Sequence, residues 1–418
     1  MIRRLAAIIL IFACTAGAWV ILGGTVLLRT DNQDNRLRNA VGQLWGTVQV
    51  QKAPSVYYET ISKSETQRVE SGKTVSEIQS QTITNYVPLK SSKIDVSLFL
   101  EHRKKGLLWY PTYAVDFSAH YVVSNDTPEP REMFISFTFP TAGAVYDNFR
   151  FAIAGKELQN IEPSSGSLQQ LLKLDPGQRE TVEIAYKSQG MSEWGYEFGE
   201  NVSQVRDFLL SMKTDFKKID FPQNSISPTS RIQTRDGWEL KWQYSNLLTG
   251  VKIGMVMPNK LNPGPWVSKV TFSAPISLFL FFFLLFIFTT LRKIEIHPMN
   301  YFFLAAAFFS FHLLLAYLVD HISIHTAFFI SSAVSILLAV TYMRLVVRTR
   351  FALLEIGVTQ LVYQVFFSYT FFFEGFTGLV ITILCILTLF VVMQMTGKVN
   401  WGEVFQKKVM PNESPKSI

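Results

Sequence analysis

Cysteine and charge are what this chain has least of. Two cysteines occur in 418 residues, Cys14 and Cys385, and both fall inside apolar runs. The long polar stretch between those runs therefore has no disulfide, although it is large enough to bury a core without one. Charged residues make up only 17% of the chain, where a soluble globular protein carries about 25%. Chemical signatures are missing too. There is no GxxxxGK[ST] phosphate loop, no GxGxxG dinucleotide turn, no GxSxG elbow and no HExxH helix. These absences remove the commonest site plans for phosphoryl transfer, hydride transfer, acyl transfer and zinc hydrolysis. No catalytic constellation is in view.

What the chain has instead is apolar length. It is 48% hydrophobic and carries 35 Phe, concentrated in six runs. A bilayer's hydrocarbon core is roughly 30 Å thick, so about 20 apolar residues span it as a helix. The runs predict spans at Leu5–Leu28, Ser273–Leu291, Met299–Val319, Ile322–Met343, Phe351–Phe373 and Gly375–Thr396. Any one of them alone reads equally well as a buried core helix. Five packed almost back to back do not.

The net charge of +7 does not point to nucleic acid. Residues 29–271 hold 28 Lys and Arg against 26 Asp and Glu, a net of +2, which leaves +5 for the rest of the chain. That excess sits at Arg3, Arg4, Arg292, Lys293, Arg344, Arg348, Arg350, Lys398, Lys407, Lys408 and Lys416, while the alternate loops hold Asp320 with His321, and Glu374. Basic flanks mark the cytoplasmic side. Both termini are therefore expected in the cytoplasm, with residues 29–271 outside. The first run has small residues at Ala13, Ala16 and Ala18, and Ile11–Cys14 looks faintly like a lipoprotein box. Its apolar length exceeds the usual h-region of about 7–15 residues, so we expect an uncleaved anchor.

These readings predict an α+β membrane protein. Its expected parts are a short N-terminus (1–4), an anchor (5–28), an extracytoplasmic antiparallel β-sandwich (29–271), a five-helix transmembrane bundle (272–397) and a cytoplasmic tail (398–418). Within the outer part, Arg29–Leu44 reads as a helix and Thr60–Gln81 as an exposed loop or mobile helix. Alternating or β-branched stretches at 94–100, 113–123, 133–139, 181–186, 238–244 and 251–256 read as strands between turn signals. One helix is expected among them. Asn201 and Ser203 are its candidate caps, and Val202, Val205, Phe208, Leu209 and Met212 form its apolar face. Pro263–Trp266 reads as a turn, with Trp266 in the headgroup region.

Ionisable and amide groups inside spans are costly and so are functional candidates. Glu355 lies about one turn inside the cytoplasmic end of its span, where it can reach the interface or pair with Arg350 or Arg348. Glu355, Thr359 and Tyr363 share one face of that helix, and Gln360 and Gln364 lie nearly opposite. Polar groups on two sides predict a helix enclosed by others, at the centre of the bundle. Asp320, His321 and His325 cluster between the third and fourth spans. The i, i+4 histidines fit a metal pair, but a hydrated loop with helix-capping side chains accounts for them better. His312, alone among Phe and Leu, reads as a satisfied core histidine. Lys104 and Lys105 beside Trp109 and Tyr110 suit lipid headgroups or local packing.

Several stretches resemble the CreD family of bacterial inner-membrane proteins in order and placement. They are Trp45–Gln49, Lys105–Tyr113, Leu291–Tyr301, Leu318–Ile322 and Lys398–Trp401. The resemblance covers nearly the whole chain, with departures at Ala53-Pro54 and across 60–81. It implies a bacterial inner-membrane location with a periplasmic domain, a link to envelope stress and colicin tolerance, and no established enzymatic activity. The expected function is accordingly non-enzymatic support of envelope integrity, with no cofactor and no resident metal. The expected partners are the lipid bilayer and an envelope protein or cell-wall component, and not nucleic acid. The alternative is a transporter or channel built on the polar fifth span. A weaker third reading is a membrane enzyme acting through Asp320, His321 and His325.

Overall fold

The computed structural model describes residues 2–399 apart from 71, 72, 142, 160–165, 200–204, 374 and 398. The chain divides into two compact units, Met1–Asn35 with Leu261–Ile418, and Arg36–Lys260. The first is helical and the second is mostly β.

Six helices long and apolar enough to cross a membrane are present among the described residues. They are α1 (Ile2–Trp45), α2 (Pro263–Leu291), α3 (Pro298–Leu318), α4 (Ile324–Val346), α5 (Thr349–Phe372) and α6 (Thr377–Thr396). In their most apolar stretches α2 and α5 are each 61% buried, whereas α1 and α6 are 11% buried. The first pair forms the centre and the second pair the rim.

The separate anchor expected from the sequence is not what forms. The apolar half of α1 packs as a sixth member of the bundle. Trp19 is fully buried against Phe308, Phe309 and His312 of α3. Ser268 donates to the Gly23 carbonyl at 3.0 Å. Gly264 lies so close to Thr30 that a Cβ there would collide with its Oγ1. Small residues let helices approach where lipid supplies no hydrophobic drive between them.

Helix starts follow local chemistry. Pro298 occupies the first turn of α3 behind His297, whose side chain accepts from Met299 N, because proline has no amide to leave orphaned there. Ser323 caps α4 by accepting from Thr326 N. Pro263–Trp266, read as a turn, is instead the first turn of α2. Trp266 is 2% exposed, donates Nε1 to the Phe371 carbonyl at 3.0 Å and lies 4.3 Å from the Phe372 ring. It is enclosed by the bundle.

The β unit has fifteen strands among the described residues. They are β1 (Gln49–Lys52), β2 (Ser55–Glu70), β3 (Lys73–Val87), β4 (Ser91–Lys105), β5 (Leu108–Ser124), β6 (Arg131–Thr138), β7 (Tyr146–Ile153), β8 (Lys156–Glu157), β9 (Ser167–Leu174), β10 (Arg179–Met191), β11 (Glu193–Glu197), β12 (Val205–Thr214), β13 (Ser230–Gln233), β14 (Trp238–Leu247) and β15 (Ile253–Val256). An eight-stranded sheet (β13-β14-β12-β4-β5-β10-β7-β8), a four-stranded sheet (β3-β2-β6-β9) and a three-stranded sheet (β1-β11-β15) share one core. Phe117 and Tyr186, Ile135 and Phe137, and Trp194 and Ile253 enter it from the three sheets respectively. The antiparallel expectation holds in part only, since β1 pairs with β11 and β12 with β4 in parallel.

Two further expectations fail for physical reasons. The helix expected at 201–212 is strand β12 where it is described; its candidate caps Asn201 and Ser203, with Val202, lie outside the described residues. Asp207 sits at φ 41°, which inserts one odd step into the alternation. Val205, then Phe208, Leu210 and Met212 are buried, so a kinked strand mimics helical spacing. The loop expected at 60–81 is instead the β2–β3 hairpin, registered from Val56↔Val87 to Glu70↔Lys73. Only Ser55–Tyr57 also pair with β6. Beyond that point the described side chains at 61–63 and 80–84 are exposed, so nothing there selects an apolar alternation.

Candidate functional site

The polar groups singled out on the fifth span do come together, and they recruit partners from other helices. Gln360 and Gln364 are 1% and 0% exposed. Gln360 donates Nε2 to Gln364 Oε1 at 2.8 Å and to Ser335 Oγ of α4 at 2.9 Å. Gln364 donates to the Phe308 carbonyl of α3 at 2.7 Å. Ser335 has the choice of Gln364 Oε1 at 2.8 Å or the Ala307 carbonyl at 2.6 Å. On the opposite side, Tyr363 hydrogen-bonds Thr388 of α6, and its own carbonyl accepts from Ser277 of α2. Helix α5 is thus bound to α2, α3, α4 and α6 by side chains spaced about one turn apart. Two π-helical stretches, Ala352–Gly357 and Leu361–Phe366, contain Glu355 and Gln364; such widened turns are frequent at functional sites.

Each end of the bundle has an ion pair. Glu355 pairs with Arg292, not with Arg350 or Arg348. Arg292 closes α2, and the hop between helices brings it nearer than residues on the same strand of sequence. At the opposite end Asp320 meets Arg29 of α1 at 2.9 Å, and the guanidinium also reaches the Ala316 carbonyl at 3.3 Å. His321 and His325 are exposed and do not share a helix face, because α4 begins only at Ile324. His325 stacks on Phe372 at 4.5 Å. No metal-binding group of three ligands occurs among the described residues. His312 is 1% exposed; Nδ1 lies 3.4 Å from the Phe308 carbonyl and Nε2 has no partner among the described residues. It is only half satisfied.

The β unit has a feature with no local sequence signal. A groove of about 520 Å³ lies among the last turn of α1, β4, β5, β10, the start of β7 and the residues Thr141 and Gly143–Val145 before it. Trp45 and Phe99 are its aromatic lining, and Asp116, Asp147 and Lys187 its charged lining. Asp116 and Lys187 stand 3.4 Å apart and both are about half exposed. Its volume is in the range of small-molecule sites. The wall beside it is rigid. Gly46 (φ 87°) packs so tightly on Gln189 that any Cβ would strike the carbonyl, and buried Gln49 donates to Ser188 Oγ at 2.9 Å and Gln189 O at 2.7 Å. Tyr186 donates to Gln51 Oε1 at 2.8 Å, continuing the tie between β1 and β10.

The family described as inner membrane protein CreD matches residues 1–402 of this sequence. The chain belongs to the CreD family. No curated protein matches it. Among solved structures, a Legionella pneumophila protein described as a candidate nutrient-binding protein is 9% identical, with 46% of this chain and 74% of that one covered, at a TM-score of 0.30; a likeness that low carries no argument. Family membership makes this CreD chain an inner-membrane protein with several spanning helices. Arg292, Arg29, Ser335 and the groove residues escaped the reading of the sequence because each acts across helices or strands far apart in the chain.

Proposed function

We propose that this CreD-family chain is a non-catalytic inner-membrane protein that supports envelope integrity by holding an envelope protein or cell-wall component in the groove of its β unit. The observation that carries the reading is that groove, which joins two aromatic side chains to three charged groups. It belongs to a unit continuous at both chain ends with apolar helices, α1 and α2. The charge distribution supports a periplasmic β unit and cytoplasmic termini. Arg292 and Lys293 follow α2 and Arg348 and Arg350 follow α4, whereas Asp320 and His321 follow α3.

A photo-crosslinking residue at Phe99, activated in intact cells, tests the proposal. Capture of one envelope component, abolished by Lys187→Glu together with Asp147→Lys, is the expected result. Alongside it, those two changes should lower tolerance of envelope stress or colicin at unchanged protein level. Unaltered tolerance with no capture refutes the groove's role.

A second reading, a transporter or channel, is favoured by one observation. Gln360 Oε1 is buried without a partner among the described residues, on a helix with two widened turns. If Glu355→Gln and Gln364→Leu change proton leak or solute flux while envelope tolerance is kept, that reading replaces the first.

A further inference from the structure

The β4–β5 hairpin of the β unit ends in a cluster of cations laid on aromatic rings; it shares Trp45 with the groove, but its lysines and Trp109 are not used by the groove reading. Lys104 and Lys260 both lie over the Trp109 ring, at 5.9 and 4.3 Å from its centroid. Arg103 and Lys105 lie over Trp45 at 5.8 and 5.9 Å, and Arg38 over Tyr110 at 6.0 Å. Arg103 is neutralised by Glu101. Lys104, Lys105 and Lys260 have no carboxylate partner among the described residues. The hairpin is also held stiffly. Leu37, Val41, Leu108, Tyr110 and Met191 form a small core of their own, and Gly106 (φ 58°) turns the chain where a Cβ would press on Leu37.

We infer that this hairpin binds the anionic phosphates of phospholipid headgroups. Charge complementarity is the first ground, since three unpaired ammonium groups share a fixed platform. Trp beside Lys is the composition that settles at a membrane surface. Chain continuity is the second. Lys260 precedes Pro263, the first residue of α2, by three residues, a tether of at most about 10 Å. At ~1.5 Å per residue, the 29 residues of α2 make a helix of about 43 Å, the full thickness of a bilayer with its headgroups. Its first residue therefore reaches the headgroup surface, and Lys260 stands within about one Debye length of it, where electrostatic attraction is still felt. The inference does not depend on the groove's role.

The test uses the full-length protein in nanodiscs, with a spin label at Leu107→Cys in a Cys14→Ser/Cys385→Ser background. Power saturation reads how deeply the label sits. In discs containing phosphatidylglycerol the label should lose access to a polar relaxation agent, relative to discs of phosphatidylcholine alone. Lys104→Ala/Lys105→Ala/Lys260→Ala should abolish that shift, as should high salt. Trp109→Ala is a second variant, with folding of both checked by circular dichroism. Equal depth in both lipids overturns recognition of anionic lipid, whether the label is immersed or exposed. A shift produced in phosphatidylcholine discs by inorganic phosphate would assign the site to a soluble anion and overturn the lipid assignment.

Discussion

In the helical unit many large apolar side chains face outward as well as in, whereas in the β unit the largest mostly face in. Leu379, Ile386, Phe390 and Met393 of α6 are each more than half exposed, while Trp194, Trp242 and Phe117 of the β unit are fully enclosed. The polar groups invert as well. In the helical unit the buried amide Gln360 donates to Gln364, which donates on to the Phe308 carbonyl. In the β unit the buried tyrosines bond to backbone, to glutamine and to one another: Tyr113 to the Glu193 carbonyl at 2.7 Å, Tyr186 to Gln51, and Tyr121 to Tyr196 at 3.3 Å. The contrast identifies the solvent of each unit. Lipid leaves apolar surface at no cost and penalises any unpaired polar atom, while water does the reverse.

The sharpest way to break this comparison is to remove a large side chain from each unit. Trp242→Ala should destabilise the β unit by about 3–5 kcal/mol through lost burial and the cavity left behind. Phe390→Ala, on the rim of the bundle, should stay within about 0.5 kcal/mol. Thermal unfolding of the detergent-solubilised protein, followed by Trp fluorescence and by protease protection of each unit, measures both. Similar costs would mean that α6 is covered by protein and not by lipid.

Alkaline pH should separate the units next. Burial raises the phenol pKa of Tyr113, Tyr121, Tyr186 and Tyr196 above the ordinary value of 10.0. A group whose folded pKa is raised contributes stability that is complete below its unfolded pKa and is lost as pH rises beyond it. The β unit should therefore weaken above about pH 10, by up to about 1.4 kcal/mol per tyrosine per pH unit. Phenolate absorbance from these four should appear only with unfolding; a smooth titration near pH 10 in the folded protein would show them to be open to water.

The ion pair at α5 sharpens the account of the helical unit. Arg292→Gln leaves the Glu355 carboxylate, whose side chain is 11% exposed, without its cation. It should cost about 1.5–3 kcal/mol, and adding Glu355→Gln should recover much of that loss because no unpaired charge remains. If the double variant is as unstable as the single one, the pair is not what matters at that end. Smallest of all, Gln364→Leu and Tyr186→Phe should each cost about 1 kcal/mol, one measured in each unit. A much larger loss for Gln364 would indicate a network extending beyond Ser335 and Phe308.

The sequence made some of this legible and hid the rest, for identifiable reasons. Pro298 at the start of α3 and the helical continuation of α1 past Leu28 were readable because caps and propensity act within one turn. The opposed faces of α5 were readable too, since 3.6-residue spacing is a local property. The strand at Val205–Thr214 was not, because Asp207 disturbs the alternation by a single step. The hairpin at 55–87 was not, because its described side chains at 61–63 and 80–84 are exposed and carry no apolar pattern. The contacts of Trp266 and Glu355 were hidden for another reason. Their partners, Phe371 and Arg292, lie about a hundred and about sixty residues away, and proximity in sequence favoured nearer candidates.

By itself the sequence determined which segments are long and apolar enough to cross a membrane, because hydrophobic transfer depends on composition and length and on nothing further away. Only the tertiary structure decided that α1 is a working member of the bundle, that two glutamines on α5 close on a serine of α4, and that Trp45, Phe99 and three charged residues meet around one groove. Those are encounters between distant segments. Their geometry is set by close packing, at Gly264 against Thr30 and Gly46 against Gln189, which no local period encodes.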